Sequence, residues 1–145
     1  MKKYELTAET KVVFGRTLYR IRALIAFGNV DAGEKGGWIE KESNLDQYGN
    51  AWVYGNARVY GDAEVYGNAA IMTVSHIGSR FGTTTFFALK GGNIGVSCGC
   101  FRGNIDEFTA AVERTHGDTH HGKAYKIAIE LAKLQIKTAE KENEQ

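Results

Sequence analysis

Proline is missing from this 145-residue chain, cysteine occurs only twice, and no apolar run approaches the roughly 20 residues that span a bilayer. Without proline, tight turns fall to glycine, present at 18 positions, and to Asn and Asp, which also tolerate left-handed backbone. Cys98 and Cys100 stand too close together for an ordinary structural disulfide and are expected as free thiols. A dominant charge is lacking too: 18 Lys and Arg against 17 Asp and Glu leave a formal net charge of +1, so no bulk field draws the chain onto nucleic acid or an acidic membrane. The opening MKKYELTAET has no signal-peptide core, and the expectation is a cytoplasmic protein. With 43% hydrophobic and 24% charged residues, the composition is that of a soluble globular chain.

What the chain does have is a repeat. YGNARVYGDAEVYGNA, residues 54–69, writes one hexad over again, and the aliphatic register Val53, Val59, Val65, Ile71 and Ile77 continues past it. Small residues follow at Ala57, Ala63, Ala69 and Ser75, while Gly55, Gly61 and Gly67 precede Asn56, Asp62 and Asn68. A Gly followed by Asn or Asp accepts positive φ, so each hexad reads as a short strand and a turn with Val and Ala inward. Gly-Asn or Gly-Asp every six residues disfavours a helix.

On these residues the chain resembles the hexapeptide-repeat, left-handed β-helix proteins, in which three hexads close a triangular coil of about 18 residues. Taken with FGRTLYRIRAL and GGWIEKESNL, the YGNA hexads are similar to small proteins of unknown role encoded by bacteriophages and prophages, over roughly residues 4–134. The resemblance implies a mainly β fold with a C-terminal α part: an N-terminal β-hairpin, a left-handed β-helix of about two coils, then a β-hairpin and two helices. Residues 18 apart would stack, Gln47 over Val65, Val53 over Ile71 and Val59 over Ile77, with the chain leaving the solenoid at the bulky Phe81. Tyr48 and Tyr66 would form a ladder on one face, with Tyr54 and Tyr60 on the other two, all packing on neighbouring subunits or the C-terminal part. It also implies the host-cell cytoplasm and a homo-oligomer, a trimer by similarity to hexapeptide proteins.

The organisation expected is 1–46 for hairpin and cap, 47–82 for the solenoid and 83–145 for an α+β part. The first hairpin turns at Gly15-Arg16, and residues 28–46 lay Trp38 over an end of the next element. TTTFFALK and GGNIGVSCGCF read as strands joined at Lys90–Asn93. Asn104 and Glu107 form a capping box that starts one helix, and a second runs from about Lys123 to Lys141.

Polar chemistry gathers where the repeat decays. SHIGSR offers Ser75, His76, Ser79 and Arg80 around a glycine, a set suited to phosphate or carboxylate. CFRGN places Arg102 before a helix N-terminus, and THGDTHH adds His116, Asp118 and His120, with Tyr66 as a wall. Cys98 and Cys100 with His116 and His120 make a zinc site conceivable, but the cysteine spacing is shorter than structural zinc uses, and neither metal nor cofactor is expected. Cys98 or Cys100 with His116 or His121 and Asp118 could form a nucleophilic set, and His76 could serve as base in an acyltransferase, but no motif fixes either geometry. The expectation is therefore binding without catalysis. The leading reading is a sponge for a small anionic ligand, a cyclic nucleotide or ADP-ribose derivative carrying a host immune signal, with no nucleic-acid or membrane partner. The alternative is a trimeric scaffold whose C-terminal helices dock on another protein.

Overall fold

The computed structural model describes residues 2–99 and 101–136. Phe14 and Gly15 both take positive φ, 53° and 74°, the left-handed pair that a two-residue hairpin turn requires. They join β1 (Tyr4–Val13) to β2 (Arg16–Ala23), which pairs with β3 (Lys35–Ile39), and β3 pairs in parallel with the two-residue β4 (Arg58–Val59). A second, fully antiparallel sheet holds β5 (Ile71–Ile77), β6 (Gly82–Ala88), β7 (Ile94–Cys98) and β8 (Phe101–Asn104) in that order. Helices α1 (Ile105–Thr115) and α2 (His120–Gln135) follow.

The hexads do not build a left-handed β-helix. Val59 lies beside Ile39, and Val65 bridges Leu45, both in parallel. Ile71 and Ile77 do not stack on Val53 and Val59; they pair antiparallel with Phe87 and Gly82. Gln47 does not cap a prism either: its side-chain oxygen accepts from the backbone N–H groups of Lys3 and Tyr4 at 2.7 and 3.2 Å. The cause lies at the corners. Gly55 and Gly61 turn with φ of 52° and 63°, whereas Gly67 is extended. In the next unit Thr73-Val74 occupies the place of Gly-Asn, and a β-branched pair with no left-handed corner runs straight into seven residues of strand.

The first two hexads keep their inward residues even so, and the third keeps Val65, but Ala69 and Ser75 are exposed and Ala70 is buried instead. Val53, Ala57, Val59, Ala63 and Val65 are all buried, within one apolar cluster that continues through Phe86, Val96, Phe108 and Ile129. Gly36 and Gly37 allow the approach: a Cβ on Gly37 would stand 2.6 Å from the Ala57 carbonyl oxygen, so only glycine lets β3 lie against the repeat. The repeat is also tied to the second sheet, where Glu64 N–H donates to the Ala88 carbonyl and Lys90 N–H to that of Asp62, each at 2.9 Å. Trp38 packs with Leu18 and Tyr60 on the opposite face of the first sheet.

Of the C-terminal elements, the capping box and both helices form as the sequence indicates, whereas GGNIGVSCGCF is not one strand but divides into β7 and the start of β8, paired antiparallel with Cys98 opposite Phe101. The β6–β7 connection falls at Leu89–Asn93, and the capping box is complete, with Asn104 and Glu107 exchanging side-chain-to-backbone hydrogen bonds of 2.9 Å. Helix α2 begins three residues earlier than expected, because Thr119 caps it by accepting from Gly122 N–H. Its expected end at Lys141 lies outside the described residues. No helix among the described residues is long and apolar enough to cross a membrane.

Candidate ligand site

The β5–β6 hairpin divides the SHIGSR residues between two adjoining cavities. His76 sits at a bulge: Ser75 pairs with Thr83 and Ile77 with Gly82, leaving His76 unpaired at φ 58°. That bulge sets Ser75 and His76 toward a cavity of about 440 Å³, shared with Lys11, Asn56, Arg58, Phe81 and Thr83. On the other side Ser79 and Arg80 line a cavity of about 340 Å³ with Thr83, Cys98, Thr115, His116 and Tyr125. The predicted Ser79, Arg80 and His116 therefore do come together, while Ser75 and His76 join two cations that the sequence did not single out.

Those cations define the electrostatics of the first cavity. Lys11 lies over one side of the Trp38 ring, 4.2 Å from its centroid, and Arg58 is held in place by β4, whose N–H donates to the Thr85 hydroxyl at 3.2 Å. Burial, then the charges of Arg58 and Arg20, hold the Lys11 ammonium below its ordinary pKa, against a smaller opposing pull from Glu9. Arg20 is paired with Glu9 at 3.1 Å, but among the described residues neither Lys11 nor Arg58 has an ion-pair partner and no carboxylate lines the cavity. Phe81, at φ 50° and 69% exposed, offers a ring at the rim.

The second cavity has a more buried floor. Thr84 donates its hydroxyl proton to the Cys98 sulfur at 3.2 Å, and the thiol lies 3.6 Å from the Tyr125 hydroxyl. Burial, followed by Cys98, pushes the Tyr125 hydroxyl well above its ordinary pKa, so it stays protonated at neutral pH. His116 stacks on Tyr125 with centroids 5.5 Å apart and a 30° tilt. Asp118 is 93% exposed and paired with Lys126 at 3.4 Å, so it does not orient a histidine against Cys98. Cys100, the other half of the zinc and nucleophile readings, lies outside the described residues.

The remaining predicted residues fall elsewhere. Arg102 lies over the Phe14 ring, 5.2 Å from its centroid, and lines a separate cavity of about 320 Å³ with Arg16, Tyr60 and Lys90. The nearby helix N-terminus has a complete capping box and carries Asp106 and Glu107 in its first turn, carboxylates that repel an anion there. Tyr66 lines a groove with Glu42, Asp46 and Glu64, the wrong sign for an anion. His120 starts α2 with its ring 4.1 Å from that of His121, away from both hairpin cavities. Burial, and then His120 and His116, lower the His121 pKa. Arg58 occupies the free position of the first hexad, which holds Glu64 and Ala70 in the next two, so the repeat pattern does not single it out.

Set beside known proteins, the chain matches no protein-family model and no curated protein.

Proposed function

We propose that the protein binds a small anionic ligand of the nucleotide class and holds it without turning it over. What carries the reading is the convergence of Lys11 and Arg58, neither ion-paired among the described residues, on a cavity of about 440 Å³ with hydroxyls at Ser75 and Thr83, the His76 imidazole and an exposed Phe81 ring. Cations without carboxylates favour a phosphate, the hydroxyls and imidazole add hydrogen bonds, and an aromatic rim suits a base. In a phage setting such a protein would act as a sponge for a host nucleotide signal. The test is calorimetry against cyclic dinucleotides and ADP-ribose derivatives, followed by recovery of the ligand. Saturable heat with the ligand returned intact supports the reading, and absence of heat across the panel removes it.

A second reading is a trimeric scaffold, favoured by Ile127, Leu131 and Leu134, which leave α2 with exposed large apolar side chains. It predicts a specific protein partner and a thermal midpoint indifferent to nucleotides.

A further inference from the structure

The two hairpin cavities meet over Gly82, Thr83 and Gly99, which line both. Among the described residues a Cβ on Gly82 or on Gly99 would meet nothing within 4 Å, so neither glycine divides the junction with a side chain. Each side repeats the same pair of features. One has Phe81 with Arg58 and Lys11; the other has the stacked His116 and Tyr125 with Arg80, which has no ion pair among the described residues. Arg80 and Phe81 are consecutive in the hairpin turn yet serve opposite sides, which puts cation and ring in reach of both.

Resting on the anion-binding reading above, we infer that the two cavities form one bipartite site for a two-armed ligand, with a flat ring and an oxyanion in each half, whose linker crosses the Gly82–Gly99 junction. A ligand that fills both lobes gains from linkage, because the second arm docks at high effective concentration. Each lobe alone offers a ring contact and a charge-assisted contact, enough for weak binding of a single arm.

The probes are AMP, which has one arm, and the dinucleotide pApA, which has two. Wild-type protein is expected to bind pApA at least about tenfold more tightly than AMP. Gly82 has an ordinary backbone conformation and free space beside it, so Gly82→Leu places a side chain in the junction without strain. That variant is expected to lose the ratio between the probes, binding pApA no more tightly than it binds AMP, with its thermal midpoint kept. Arg80→Ala makes the same test without touching the backbone: it weakens pApA and leaves the share of AMP binding that depends on Arg58. Equal wild-type affinities for the two probes, or an undiminished pApA advantage in both variants, overturn the bipartite site. If AMP binds and Arg58→Ala abolishes that binding while pApA shows no advantage, only the bipartite inference fails. If neither probe gives heat, the anion-binding reading fails with it.

Discussion

The Tyr125 hydroxyl occupies the space where a side chain on Gly78 would begin. Gly78 has φ 83°, so the turn that presents Ser79 and Arg80 and the helix that carries Tyr125 are fitted to each other through an absent Cβ. Gly78→Ala combines left-handed strain with a clash against a buried ring. It is expected to cost about 2–4 kcal/mol in urea unfolding, and more than Tyr125→Phe, which removes only the hydroxyl.

Lys3 is almost wholly buried, and its ammonium donates to the Ala51 carbonyl at 2.8 Å, with those of Gly49 and Tyr48 at 3.4 and 3.5 Å. Lys3→Met keeps the stem and leaves those carbonyls without the donor. An expected loss of about 1–3 kcal/mol in denaturant unfolding follows from the unsatisfied Ala51 oxygen.

Tyr4, Tyr60 and Tyr125 all carry raised pKa values, each caused first by burial. A raised folded pKa means that the folded state keeps its proton longer. The stability these groups contribute is therefore complete below the ordinary tyrosine value of 10.0 and is lost as pH climbs above it. Ultraviolet titration should show these tyrosines ionising only as the fold opens. Tyr4→Phe, which loses hydrogen bonds of 2.6 and 2.8 Å to the Leu45 and Glu42 carbonyls, should make the remaining alkaline loss smaller while lowering stability at neutral pH. Lys3 and Lys11, whose pKa values are lowered, act in the opposite sense, so stability due to them rises as pH approaches 10.5.

Gly36 and Gly37 set how closely the repeat can dock. An added Cβ would stand 2.7 Å from the Val53 carbonyl oxygen at one and 2.6 Å from that of Ala57 at the other, contacts made with backbone that cannot swing aside. Alanine at either position is expected to destabilise by more than about 2 kcal/mol, with the thermal midpoint as the readout.

The two hairpins, the α1 capping box and the inward Val53, Ala57, Val59, Ala63 and Val65 were legible because each depends on residues close in sequence. The solenoid was not, since the aliphatic register persists through Ile71 and Ile77 while the corner-forming Gly-Asn has already become Thr73-Val74. The turn positions, present only through Gly67-Asn68, end the repeat two units before the aliphatic register does. In the candidate site, His76, Ser79, Arg80 and His116 could be singled out by their chemistry. Lys11 and Arg58 reach it only because β1 and β4 are brought beside the β5–β6 hairpin, a relation between distant segments that no local pattern encodes.

Calorimetric titration of AMP into the wild type and into Arg58→Ala tests the central claim most directly. The account predicts saturable binding by the wild type, with the share held in the Arg58 lobe weakened at least about tenfold in the variant by loss of a charge-assisted contact, and the thermal midpoint of the unliganded protein unchanged. No binding by the wild type, or equal binding by both, would contradict it.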